Sequence, residues 1–193
     1  MSHPHEPVAG KLVVSVLSAD FPTVWQPVLA ALQAHFGPVE IAYAARPFAH
    51  TAYYNDELGT PLVRRLLAFT PLLPQDALGP AKCFTNAVEE RLARPDGSRL
   101  VNLDPGLVTC ERFVLATGKN YTHRIYLGQG IFGDLTLVFQ AGSWQTLPWT
   151  FPDYAAPDML ARLTDVRCRY RRDLREAVPR INPPEKEPTC PKA

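Results

Sequence analysis

Leu12-Val-Val-Ser-Val-Leu17 is a short, β-branched and almost continuously apolar run, the pattern of a buried central strand rather than of a half-exposed one. The residues after it decide the fold class. Thr23 and Gln26 stand at capping-box spacing, which predicts a helix with Thr23 as its N-cap and Pro27 in the first turn, where no intrahelical N–H is required. Gly37-Pro38 stops that helix after Phe36, and Val39, Ile41 and Tyr43 then alternate as a half-buried strand does.

Farther along, Pro61 to Leu73 reads as a strand interrupted by Arg64-Arg65. From Asp76 to Ala93 the apolar residues Ala81, Phe84, Val88 and Leu92 recur at helical spacing, with Pro80 tolerated near the start. Pro95-Asp96-Gly97 turns the chain, and Leu100 to Leu103 makes a brief strand. The order β-α-β-β-α-β is the split pattern of ferredoxin-like folds, an antiparallel sheet with helices on one face.

Asp104-Pro105 has the form of a helix cap followed by a first-turn proline, so a further helix is expected. It would carry Leu107, Cys110, Val114 and Leu115 and stop at Gly118, with a strand through Phe113 to Ala116 as the alternative. His123–Leu127 and Leu135–Gln140 flank a glycine-rich turn, and Ala141-Gly142-Ser143 leads into a third short strand, together a β meander. Leu160, Leu163, Val166, Tyr170 and Leu174 form a last helical stripe. The expected class is therefore α+β: a mainly antiparallel sheet, ferredoxin-like in its first part, extended by the meander and a final helix. A flexible start over residues 1–10, one domain over 11–176 and a disordered proline-rich tail over 177–193 complete the expected organisation.

Composition narrows the functional classes. With 193 residues, 46% of them hydrophobic, the chain is long enough for one sizeable core. A formal charge of +1 gives a weak global field, so neither a membrane surface nor nucleic acid is an expected partner, and the oligomeric state is left open. There is no apolar leader before Gly10 and no membrane-length apolar run, which reads as a cytoplasmic protein. Cys83, Cys110, Cys168 and Cys190 are widely spaced, without Cys-x-x-Cys, and are expected as reduced thiols.

Polar and turn-forming residues are densest between Asn102 and Tyr154. Gly128-x-Gly130-x-x-Gly133 has the letters of a dinucleotide fingerprint, but the segment after it, Asp134-Leu-Thr-Leu-Val-Phe, is strand-like where that motif requires a helix N-terminus. The glycines are thus expected to turn a hairpin. Lys119, His123 and Arg124 place three potential cations close together, suited to a phosphate or carboxylate. Strand alternation, however, would put His123 and Arg124 on opposite sides.

Asp104 and Asp134 are the nearby acids, able to hold Mg²⁺ against a bound phosphate or to accept a proton, although a cap and a hairpin position account for them equally. Lys82, Asn86 and Glu89 or Glu90 form a polar row on the second helix, as a solvated face also would. Trp144, Trp149, Phe151 and Tyr154 supply rings for stacking or for the core, and Glu57 could complete the site from a separate loop. The site expected here binds a small anionic, phosphate- or nucleotide-like ligand through Asp104, Lys119, His123, Arg124, Asp134, Trp149 and Glu57. No residue is assigned as catalytic. The competing class is an interaction or structural module using residues 144–154 and the last helix, where Arg162, Arg167, Arg169, Arg171, Arg172 and Arg175 are partly offset by acids.

Several of these strings occur together in one known family. Pro47-Phe-Ala-His-Thr-Ala-Tyr-Tyr54 with Glu57-Leu-Gly59, Lys82-x-x-Thr-Asn-x-x-Glu-x-Arg91, Asn102-Leu-Asp-Pro-Gly106, His123-Arg-Ile-Tyr-Leu-Gly128 and Leu147-Pro-Trp-Thr-Phe-Pro-Asp-Tyr154 resemble the bacterial DUF4416 family over roughly Lys11 to Leu174. The resemblance implies no assigned reaction. Members often carry a GTP-binding label, which this chain, lacking a Walker A loop, does not support. Asp134 matches an acid the family tends to show, whereas Ala52 stands where the family tends to have Asp.

Overall fold

The computed structural model describes residues 3–177. The strand predicted from Leu12–Leu17 is β1 (Gly10–Ser18), and α1 (Phe21–Phe36) comes after it. The cap of α1 differs from the expected one. Asp20, not Thr23, stands at the N-cap, its side chain accepting from the Thr23 N–H at 3.3 Å, so the helix starts earlier and Pro27 lies inside it. At its other end Gly37 adopts φ 86°, as the Gly-Pro stop requires.

β2 (Val39–Ala42), the two-residue β3 (Arg46–Pro47), the single-turn α2 (Asn55–Leu58) and β4 (Val63–Leu73) come next. After a 3₁₀ turn at Gln75–Ala77, α3 spans Leu78–Arg91. All strand pairing is antiparallel, and β1 sits between β4 and β5 (Asn102–Val108), with β2 beyond β4. Leaving aside the two-residue β3, the four strands β1, β2, β4 and β5, counted in chain order, are arranged fourth, first, third, second, which is the ferredoxin-like arrangement.

The helix expected after Asp104 does not form. Asn102–Val108 is β5, and β6 (Arg112–Thr117) returns beside it. The local Asp-Pro signal was overridden by burial: Leu103 and Leu107 pack with α1 and α3, while Val108, Phe113 and Leu115 pack on the other face. β7 (Arg124–Gly128), β8 (Ile131–Gln140) and β9 (Ser143–Thr146) extend the sheet as the expected meander, giving the order β2-β4-β1-β5-β6-β8-β7 with β9 also on β8. Gly128, Gln129 and Gly130 all have positive φ between β7 and β8, so the glycine-rich string is a hairpin turn.

α1 and α3 share one face of the sheet, as expected for the ferredoxin-like part, and α4 (Pro157–Ala177) covers the other. Leu12, Val14 and Val16 face α1 and α3 through Val24, Val28, Leu32 and Ala81. Val13 packs instead with Met159, Leu163 and Val166 of α4. This double cover explains why β1 is apolar throughout. The tail and Cys190 lie outside the described residues.

Gly106 of β5 lies against the Phe113 ring of β6. A Cβ there would come within 2.6 Å of the Phe113 ring and 3.0 Å of the Val114 carbonyl oxygen. Gly106→Ala is therefore expected to destabilise the protein by about 1–3 kcal/mol, as overpacked cores do. Urea denaturation checks this, and a loss below about 0.5 kcal/mol would mean that Phe113 moves aside freely.

Candidate functional site

The face of the sheet under α4 is apolar at one end and polar at the other. Through the strand registers, Val13, Leu66 and Phe113 give way to Ser15, Arg64, Asp104 and Asp134. α4 covers the apolar end. Over the polar end lies a cleft of about 800 Å³, roofed by the loops around Thr51–Tyr54 and Phe151–Tyr154.

The opening of this cleft arises from β5. Pro105 has no N–H to donate, and β5–β6 pairing is confined to Gly106, Leu107 and Val108 against Leu115, Val114 and Phe113. At Leu103 side chains from α3 replace a strand partner: Glu89 Oε1 accepts the Leu103 N–H at 2.6 Å, and Lys82 Nζ donates to its carbonyl at 2.6 Å. The sheet is thus split, and the split is held by a buried ion pair network.

That network makes one wall. Lys82 also approaches Asp104 Oδ1 at 3.3 Å and Glu89 at 3.6 Å. Arg99 binds Glu89 at 2.8 Å, Asn102 Oδ1 at 2.9 Å and both Glu57 oxygens at 2.7 Å, and Asn102 donates to Asp104 Oδ2 at 2.6 Å. The row on α3 is therefore not a solvated face: Lys82 and Glu89 are buried, and only Glu90 is exposed. Tyr54 lies near Asp104, and burial first, then the Asp104 charge, push its hydroxyl up to about 12, so it stays a neutral donor.

The second wall is built on Asp134, 1% exposed on β8. Arg124, its register partner on β7, donates from Nε at 2.9 Å, and His123 Nε2 lies 3.2 Å from the same Oδ2. The expectation that His123 and Arg124 face apart is corrected. β7 begins only at Arg124, and His123 lies in the turn before it, so strand alternation does not govern the pair and both side chains converge on one carboxylate. Trp149 stacks on His123 with ring centroids 4.7 Å apart and donates to the Leu135 carbonyl at 2.8 Å. Lys119 Nζ donates to the Tyr53 hydroxyl at 2.6 Å and lies 4.2 Å over its ring, with no carboxylate partner among the described residues.

Of the residues expected in the site, Asp104, Lys119, Arg124 and Asp134 line this one cleft. His123, Trp149 and Glu57 stand behind it, the first two supporting Asp134 and the third holding Arg99. Arg64 and Asp153 line it without having been singled out from sequence; they form a buried ion pair, with Arg64 between the rings of Phe48 and Tyr154 at 4.4 and 5.1 Å. Arg99 and Tyr53 were likewise missed as cleft groups. Only the density of Tyr53-Tyr54 and its neighbours hinted at that loop. The aromatic segment divides, Trp144 and Tyr154 joining the core while Trp149 and Phe151 remain partly exposed.

Mg²⁺ finds no ready-made protein cage here. Among the described residues no three His, Cys, Asp or Glu side chains cluster as ligands, and Asp134 is already engaged by Arg124, His123 and Thr136. A cation would depend on ligand oxygens. The arginines of α4 are largely engaged as well: Arg169 and Arg172 pair with Glu40, Arg162 with Asp158, and Arg167 donates to the Cys110 carbonyl.

Acid titration separates the two glutamates of the network. Hydrogen bonds from Arg99 hold Glu57 below its usual range, whereas burial raises Glu89 despite Lys82 and Arg99. Glu57 thus contributes stability that is present above the unfolded value of 4.5 and lost as pH falls through its lower folded value. Glu89 works in the opposite sense, favouring the folded state more as it takes up a proton. Carboxyl NMR should show Glu89 protonating at higher pH than Glu57, and the reverse order would contradict this arrangement.

A split, ferredoxin-like α+β sheet enclosing an ion-paired cleft defines the class of protein. Within that class, the chain belongs to the family described as a domain of unknown function (DUF4416), whose model matches residues 8–170. Comparison with curated proteins and with solved structures gives no match. Among the described residues no helix is long and apolar enough to cross a membrane.

Proposed function

We propose that this protein, acting in the cytoplasm, binds a small organic anion in the cleft between the β5 and β8 walls. The single observation that carries the reading is the cleft's size and lining: about 800 Å³, within the range of small-molecule sites, with charged groups and aromatic rings at its surface. Lys119 takes the anionic group, since among the described residues it is the lining cation with no carboxylate in salt-bridge contact. Tyr53 and Phe151, 63% and 42% exposed, offer faces for a planar ring. A phosphate-bearing ring compound such as a nucleotide has this combination.

Isothermal titration with nucleoside mono- and triphosphates, with and without Mg²⁺, tests the proposal. Binding should weaken about 10- to 150-fold in Lys119→Ala, the loss expected for a hydrogen bond to a charged group. Absence of heat across the panel, or affinity indifferent to Lys119, would count against it.

A partner-binding role is the second reading, favoured by Ile125 and Tyr126 on the β7 edge, 70% and 61% exposed. The α4 arginines add little to it because of their ion pairs. A pull-down in which Ile125→Lys abolishes capture of a specific partner would favour this role, and unchanged capture would remove the edge from it.

A further inference from the structure

We infer that the ligand is a zwitterion, a molecule presenting one anionic group to Lys119 and one ammonium group to Asp104, in preference to a polyanion. The inference rests on the proposed cleft site and concerns the charge of what the cleft selects. The cations lining it are Arg64, Lys82, Arg99, Lys119 and Arg124; against them stand three carboxylates of the lining, Asp104, Asp134 and Asp153, and two just behind it, Glu57 and Glu89, that pair with Arg99 and Lys82. Positive and negative groups balance, so the cleft has no excess charge with which to neutralise a triphosphate.

The pairs are also not free to be redirected. Arg64 and Asp134 are buried, Lys82 is bound to the Leu103 carbonyl, and Arg99 is gripped by two glutamates. Turning any of these cations toward a ligand phosphate would leave a buried carboxylate unpaired.

Two charges differ from the rest. Lys119 has a hydroxyl for a partner instead of a carboxylate, and so can take one anionic group. Asp104 lies in the lining with a quarter of its side chain exposed, although Lys82 and Asn102 each engage one of its oxygens. An ionised carboxylate offers about four acceptor positions and no donor, so its open side is satisfied only by N–H or O–H groups and repels oxyanions. Lys82 and Asn102 fix its orientation without filling it. A polyanion would be set against Asp104, whereas an amine would complete it.

Calorimetry on the full chain with matched probes decides the matter. Tyramine O-phosphate carries a ring, a phosphate and an ammonium; 4-ethylphenyl phosphate lacks only the ammonium; ATP is the polyanion. The expected result is at least about tenfold tighter binding of tyramine O-phosphate than of either other probe, the value of one charge-assisted hydrogen bond. In Asp104→Asn, which keeps the shape and removes the charge, the advantage should fall to within about threefold. The comparison in the unmodified protein stands even where that variant fails to fold. Equal or tighter binding of 4-ethylphenyl phosphate or ATP overturns the zwitterion and leaves the cleft as an anion site. Failure of all three probes to bind overturns both.

Discussion

Replacing Glu89 by alanine is expected to destabilise the protein by about 3–5 kcal/mol, the range for removing one member of a buried ion pair. Glu89 is 3% exposed and serves three groups at once: the Leu103 N–H, Arg99 and Lys82. Without it Leu103 loses the acceptor that stands in for a strand neighbour, and Lys82 retains only Asp104 as a carboxylate partner. For a chain of this size the loss corresponds to a fall in Tm of roughly 6–20 °C. Glu89→Gln should lose less, because the amide oxygen still accepts from Leu103. Urea denaturation of both variants reads the effect, and a loss in Glu89→Ala below about 1 kcal/mol would show that the split between β5 and β6 is not held by α3.

The second large effect is expected at Arg64. Arg64→Ala leaves Asp153 buried without its guanidinium and removes the cation packed between Phe48 and Tyr154, a combined loss of about 3–5 kcal/mol. Replacing both members, as Arg64→Met with Asp153→Leu, should recover more than half of that loss, since no buried charge is then stranded. A double-mutant cycle by chemical denaturation measures the coupling. Additive effects of the single changes would mean that the pair contributes packing and little else.

The legibility of this fold in the sequence depended on whether local signals and burial agreed. They agreed in β1, where Leu12 to Leu17 is apolar because helices cover both faces, and in α1, where Gly37 ends the helix. They conflicted at Asp104-Pro105, which has helix-start chemistry but lies in β5, held by the packing of Leu103 and Leu107. The same proline then helps to end strand pairing and open the cleft, a consequence that no local pattern contains.

The candidate site was legible to the same degree. Asp104, Lys119, Arg124 and Asp134 could be chosen from residue type and proximity in sequence, and they do line one cleft. Arg64 and Asp153 are 89 positions apart, so their pairing depends on tertiary contact alone. Arg99 was not singled out between the Pro95-Asp96-Gly97 turn and the strand after it, yet it joins Glu57, 42 positions away, to Glu89. The polar row on α3 has the spacing of a solvated face, and only the parted strands above it make it buried.

The most direct test of the cleft as a ligand site is an NMR titration of the ¹⁵N-labelled full chain with AMP, which joins one phosphate to one ring. Amides of residues 102–104, 117–119, 151, 153 and 154 should shift together and saturably, and Lys119→Ala should abolish the shifts at the same concentration. Saturable shifts confined to the α4 arginines, or no saturable shifts at all, would contradict the assignment of the cleft.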